Sequence, residues 1–322
     1  MRRLTLPTTD ALPMTRKQKH PWRRAIEQFF VHWAMVGFGP LIRLLPTRSI
    51  RWFAWVFARL VEAVSCRRRR MVDANIRAAL GEDLSAAEVR RIRRSSIVNA
   101  AKTIAELLKI RWLTSEQIKG LITLEGAEHL DAALARGKGA IVVTAHFGNW
   151  ELTGALVSVL GYPLSVIARD ANDRLLRELV NQSRQSKGVK VFGRSDARRL
   201  LRALAANECV AILPDQHAAE AAVRVRFLGR PADTATGPAT FALRTGAAIV
   251  PVFSYRLPDD HIHSKLFPSL QVTPTGDRDA DVVAITQRIN DVIGEQIRQH
   301  PEQWLWLHDR WKADKAVDSS KA

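Results

Sequence analysis

Cysteine is nearly missing from this 322-residue chain. Its two copies, Cys66 and Cys209, lie far apart and fit no ligand spacing, which argues against a disulfide framework or a zinc ribbon and favours a reducing compartment. The G-x-S-x-G elbow of a serine esterase and the G-x-x-x-x-G-K-[ST] loop of a nucleotide enzyme are both absent. In GKGAIVV the glycines precede a strand-like run, the wrong side for a dinucleotide fingerprint. Clustered metal ligands are missing as well, since His261 and His263 stand in a polar stretch with no partner nearby in sequence. Neither a metal nor an organic cofactor is expected.

Acidic residues are scarce in one part of the chain only. Residues 1–111 carry 23 Lys+Arg against 8 Asp+Glu, a net +15, whereas the remainder carries 26 against 24, a net +2. The same basic third holds Trp22, Trp33, Trp52 and Trp55, and its arginines accompany apolar helices, not an RNA-binding aromatic motif. Basic residues beside aromatic, apolar helices suit an anionic membrane surface, where each Lys or Arg is worth about 1 kcal/mol. No nucleic-acid partner is expected.

An uninterrupted apolar span is also lacking. The run FFVHWAMVGFGPLIRLLP (29–46) contains His32, Arg43 and the breaker Gly37-Phe38-Gly39-Pro40, and IRWFAWVFARLVEAVSC (50–66) is cut by Arg51, Arg59 and Glu62. Basic residues flank both sides, with Arg16 to Arg24 before and Arg67 to Arg70 after, so no charge asymmetry orients a span. An interfacial or half-inserted helical hairpin at 25–70 is expected, behind a flexible basic segment at 1–24; helices packed on the globular domain would read similarly. A cleavable signal is disfavoured because the apolar run starts late and lacks a small-residue site.

What the chain does have is a globular composition, 47% hydrophobic, and an alternating pattern. Ser85 with Glu88 three residues on signals a helix start, and Ile97, Ala100, Ala101, Ile104, Leu107 and Leu108 recur at helical spacing. Strand-like runs AIVVTAHF, PLSVIARD, VKVFG, CVAILPD, VRVRFLG, AIVPVFSYR and SLQVTPT alternate with helical patterns at 151–160, 173–185, 196–206, 237–245 and 279–299. This predicts an α/β domain over 71–312, with a mostly parallel sheet of about seven strands flanked by helices, ligands beyond the strands' carboxyl ends, and a disordered tail at 313–322.

In AIVVTAHFGNWELTG a β-branched run stops at His146, HFGN turns, and Glu151 falls in the first turn of a helix. At that sheet edge a histidine can act as a general base, with a carboxylate on its far ring nitrogen fixing the tautomer. Gly148 would let backbone approach a ligand closely, and the helix N-terminus offers N–H groups to a developing oxyanion. A capping turn with a half-buried histidine would show the same spacing.

HFGNWE resembles the H-x4-D/E motif of the lysophospholipid acyltransferase superfamily and is most similar to the bacterial lipid A biosynthesis acyltransferase family, the lauroyl and myristoyl transferases. Further blocks resemble that family in order: IARDANDRL through Arg169 and Asn172, FGRSDARRLLRAL through Arg194, ILPDQHA through Asp215 and Gln216, TGPATFALRTGAAIVPVFSYR, and PEQWLWLHDRWK through Trp306, His308 and Arg310. Glu151 replaces the superfamily's usual Asp, PDQHAAE differs from P-D-H-D, and no E-G-T-R block is present.

The resemblance implies an O-acyltransferase that moves a fatty acyl group from acyl carrier protein or acyl coenzyme A to a hydroxyl of a lipid A precursor, related glycolipid or lysophospholipid. It implies His146 and Glu151 as base and orienting partner, worth about 10²- to 10⁴-fold. Arg169 and Arg194 would bind phosphate, and Asn172, Asp215, Gly148 and Asn149 would line the site. Trp306, His308 and Arg310 would be structural, closing the site with their helix. The cytoplasmic face of the bacterial inner membrane is the expected location. The competing expectation is a non-catalytic lipid-binding membrane protein of the same fold.

Overall fold

The structure, a computed structural model, describes residues 42–167, 174–193 and 196–312. The segment 1–24, most of the first apolar run and the tail therefore lie outside the described residues. In chain order, helices α1 (Thr47–Val64), α2 (Cys66–Leu80), α3 (Ala86–Ile110) and α4 (Ser115–Leu121) precede β1 (Ile122–Glu125). Then come α5 (Ala127–Leu134), β2 (Ala140–Val143), α6 (Trp150–Val159), β3 (Leu164–Ile167), α7 (Arg174–Gln185), β4 (Lys190–Phe192), α8 (Ala197–Ala205) and β5 (Cys209–Ile212). A hairpin of β6 (Ala222–Phe227) and β7 (Arg230–Ala235) leads to α9 (Gly237–Thr245), β8 (Ala248–Arg256), β9 (Ile262–Leu266) and α10 (Arg278–Gln299).

The expected architecture is present: a seven-stranded sheet in the order β1-β9-β8-β2-β5-β3-β4, flanked by helices. Neighbours are parallel except β8 with β9. The central strands β2 and β5 are buried at every position, as a strand covered on both faces requires, so their sequence is continuous apolar and not alternating. Two expected strands are not members of the sheet. VRVRFLG pairs with β7 in a separate antiparallel hairpin, and SLQVTPT makes only an isolated bridge from Leu270 to Ile249. Their places are taken by β1 and by β9, whose His263 belongs to a strand and not to a loop, with Nε2 2.9 Å from Glu125 Oε2.

The Ser85–Glu88 signal closes a reciprocal capping box that starts α3. The stripe expected to be buried on that helix is only partly so: Ile104 is exposed, while Arg93, Ser96, Asn99, Thr103 and Glu106 are buried beside Ala100 and Leu107. The expected boundary at residue 70 falls inside α2. Helix α1 lies on α3, burying Ile50, Arg51, Ala54, Ala58 and Glu62, while Trp52, Phe53, Trp55, Phe57 and Leu60 face outward. Glu62 ties the two helices by accepting from Arg93 and Arg94. Among the described residues no helix is long and apolar enough to cross a membrane.

Candidate active site

The register of two parallel strands creates the site. Val143 of β2 lies opposite Ile212 of β5, and three residues beyond each come His146 and Asp215. The two side chains consequently meet just past the carboxyl edge of the sheet, with Nδ1 of His146 2.9 Å from Oδ1 of Asp215. The backbone N–H of His146 donates to the other oxygen of the same carboxylate at 3.0 Å, and Nε1 of Trp304 donates there at 2.8 Å. The carbonyl of His146 accepts from Leu305 at 2.9 Å, and the neighbouring Phe147 ring is buried against Phe253 and Tyr255. Main chain and ring are thus both fixed, the ring edge-on to Trp150 at 5.1 Å between centroids.

Charge reinforces the geometry. Burial works against a charged imidazole, but the Asp215 carboxylate, its hydrogen bond and Glu151 together more than offset this and the opposing Arg184; the His146 pKa is raised above its ordinary value. For Asp215 burial would raise the pKa, yet the facing imidazole and the donors His146 and Trp304 hold it below the usual carboxylate range. With Nδ1–H given to an ionised carboxylate, the unprotonated nitrogen is Nε2, whose neighbour is the Gln216 amide at 3.4 Å. The His146 side chain is 24% exposed, so the ring is reachable from outside. Such an arrangement can take a proton through Nε2 and give it back.

The partner of His146 is therefore Asp215, not Glu151 as expected from the motif. Glu151 sits in the first turn of α6, and its oxygens are held by Arg184 of α7, at 2.9 Å from Nε and 2.5 Å from Nη2, with Trp150 Nε1 3.1 Å away. Its influence on the histidine is through space. Arg184 carried no sequence signal, because only the fold brings α7 against α6.

Gly148 and Asn149 also differ from expectation. Gly148 has φ +58°, and a Cβ there would stand 1.7 Å from the carbonyl oxygen of Ser254. Its close approach is to that β8 backbone. Asn149 is wholly buried: Oδ1 caps α6 through the N–H of Leu152 at 2.9 Å, and Nδ2 donates to Glu106 at 2.6 Å. Both residues shape the turn, with no polar side-chain atom of Asn149 left for a substrate.

Arg169, Asn172 and Arg194 lie outside the described residues. The C-terminal block is irregular, following a 3-10 turn at Pro301–Gln303, and does not close the site with a helix. Within it Trp306 and Arg310 are buried; Arg310 donates through Nη1 to the Asp233 carbonyl at 2.6 Å, and His308 Nε2 accepts from the backbone of His217 at 3.0 Å. The contact with the histidine–aspartate pair comes from Trp304, which sequence reasoning passed over in favour of its neighbours. Cys209 lies inside β5, where burial pushes its thiol up to about 12, far from the thiolate a nucleophile needs.

The family described as bacterial lipid A biosynthesis acyltransferase matches residues 16–313. The phosphatidylinositol mannoside acyltransferase of Mycobacterium tuberculosis (strain CDC 1551 / Oshkosh) is 33% identical over 195 residues, 59% of this chain and 60% of that protein. The lipid A biosynthesis palmitoleoyltransferase of Escherichia coli (strain K12) is 27% identical over 208 residues, 63% of this chain and 66% of that one. The lipid A biosynthesis lauroyltransferase of the same organism is 25% identical over 287 residues, 88% of this chain and 92% of that one. The mycobacterial relative is thus matched over less than two thirds of its length, but the family match runs from before α1 to the end of the described residues and takes in both His146 and Asp215: the chain belongs to the bacterial lipid A biosynthesis acyltransferase family.

Proposed function

We propose that this protein is a membrane-associated O-acyltransferase that moves a fatty acyl group from an acyl thioester, on acyl carrier protein or coenzyme A, to a hydroxyl of a lipid A precursor or related glycolipid or lysophospholipid. The observation that carries the reading is the His146–Asp215 pair, held at the sheet edge with Nε2 turned away from its carboxylate. Nε2 takes the acceptor's hydroxyl proton as the oxygen attacks the thioester carbonyl. The tetrahedral intermediate collapses, the C–S bond breaks, and the imidazolium returns the proton to the departing thiolate. The first-turn N–H groups of Trp150 and Glu151, ahead of those of Leu152 and Thr153 that Asn149 takes up, support the oxyanion. Arg169 and Arg194, with Asn172, are assigned to phosphate on donor or acceptor, where a guanidinium forks onto two oxygens.

The relatives named for lipid A and for phosphatidylinositol mannoside favour a glycolipid acceptor. The outward aromatic face of α1, with Arg43, Arg48, Arg68 and Arg70 exposed around it, supports docking on an anionic bilayer, at the cytoplasmic face of a bacterial inner membrane. The test is mass spectrometry of membrane lipids from cells making the wild type, His146→Ala, or neither. One lipid gaining a single acyl chain with the wild type alone is expected. Equal acylation by His146→Ala would overturn the base. A protein that binds lipid but transfers nothing from defined donors would be the non-catalytic binder.

A further inference from the structure

Behind the turn that carries His146, Asn99, Thr103 and Glu106 stand at i, i+4 and i+7 on one face of α3. Each reaches the turn. Asn99 Nδ2 and Thr103 Oγ1 donate to the Gly148 carbonyl at 3.2 and 2.9 Å, and Glu106 accepts from Asn149 Nδ2 at 2.6 Å. Each also meets one guanidinium, that of Arg256 at the end of β8. Nε donates to Asn99 Oδ1 at 2.7 Å, Nη1 and Nη2 fork onto the Glu106 oxygens at 3.0 and 2.7 Å, and Nη2 lies 3.4 Å from Thr103 Oγ1. The side chains of Arg256 and Glu106 are 6% and 3% exposed. Nε of Arg51, from α1, donates to the same Glu106.

A buried ion cluster of this kind adds little net stability over apolar packing of the same volume. What it does supply is a fixed geometry, because a planar fork with several partners at once admits one arrangement. We propose that Arg256 is a positioning residue of the acyl-transfer site: acting through Asn99, Thr103 and Glu106, it fixes the Gly148–Asn149 turn and hence the seat of the His146 ring against Asp215. It touches neither substrate nor reacting atoms. Its consequence for catalysis rests on His146 being the base.

The experiment compares full-length wild type, Arg256→Lys and Thr103→Val. Lysine keeps the charge but cannot hold Asn99 and both Glu106 oxygens together. Valine removes only one donor to the Gly148 carbonyl. Two quantities are read on folded protein: the pH titration of the His146 ring by NMR, and kcat and KM for thiol release from an acyl-CoA with a lipid acceptor. The charged groups facing that ring are Asp215, Glu151 and Arg184, and neither substitution alters them. A looser seat weakens the Asp215 contact, so the His146 pKa falls in both variants. For Arg256→Lys kcat drops roughly 10- to 100-fold with KM nearly unchanged, the scale of a misplacement of about 1 Å. A purely structural role would lower the folded fraction without moving the titration. If Arg256→Lys folds and His146 titrates as in the wild type, the proposal is overturned. If Arg256→Lys does not fold, an unchanged titration and kcat in Thr103→Val overturns it. A shifted titration with undiminished acyl transfer leaves the positioning intact and removes His146 as the base.

Discussion

Replacing Asp215 by asparagine changes one atom at the centre of the site and exposes its logic. The carboxylate is buried and accepts from Nδ1 of His146, from the His146 backbone and from Trp304. Asparagine preserves the volume and one acceptor, which the backbone and Trp304 donors can share. Its amide nitrogen then faces Nδ1, which has to become the acceptor, so the ring proton moves to Nε2, the atom that the proposed base must keep bare. In the best-studied triad the same exchange costs about 10⁴-fold. A loss of roughly 10³- to 10⁴-fold in kcat is expected, equivalent to about 4 to 5.5 kcal/mol of barrier at about 1.36 kcal/mol per decade. Loss of a charge that helps to outweigh burial also lowers the His146 pKa. Thiol release from an acyl-CoA reads the first effect and NMR titration of the ring reads the second. Glu151→Gln is the control. It leaves the Nδ1 bond in place, lowers the histidine pKa less, and strands Arg184, costing about 1 to 3 kcal/mol after discounting for that residue's 21% exposure. Folded Asp215→Asn with more than about a tenth of wild-type turnover, or with an unmoved His146 titration, would refute the reasoning.

Two further outcomes follow from the same geometry. Because the folded pKa of His146 is raised, its contribution to stability is complete below the unfolded value of about 6.5 and is lost as pH rises through the folded value. Urea unfolding should therefore show His146→Gln trailing the wild type by more near pH 5.5 than near pH 9; a gap that widens with pH contradicts the pairing. On α1, Trp52→Glu with Phe57→Glu should weaken binding to vesicles containing phosphatidylglycerol by more than about 100-fold, since each aromatic buried in lipid is worth about 1.5 to 3 kcal/mol. Undiminished co-sedimentation of the double variant with such vesicles would show that this face is not the docking surface.

The parts of the fold legible in sequence are those where one local rule acts alone. The continuous apolar runs of β2, β5 and β8 declared central strands, and Ser85 with Glu88 marked the start of α3. β1 and β9 were hidden because they are short, half-exposed and carry charge, and IHSKL shows its alternation only once the sheet assigns it an inner face. His146 was visible at the end of its strand, but its partner was not. Glu151 is close in sequence, yet the fold turns it toward α7, while Asp215 arrives through the pairing of β2 with β5. The face of α3 was misread for a related reason. Periodicity selects apolar side chains, and the side turned to the site is polar because it has a turn to hold. Glu106, a lone carboxylate next to Leu107 in the buried phase, was the available clue, since such a charge is seldom buried unpaired.

The way Arg51 is used bears on where this molecule can be cut. A division after residue 70 would treat α1 as an anchor tethered to an autonomous enzyme. The helix instead lends its inward guanidinium to a carboxylate that also holds the turn of His146, while its opposite side carries the aromatics. A chain trimmed to begin at α2 would lose the exposed aromatic face and, at the same stroke, leave Glu106 with one arginine in place of two and uncover the side of α3 on which Ala54 and Ala58 rest. Solubility gained by removing this helix would be expected to come with a loosened active site, so the aromatic face and the engine share a part.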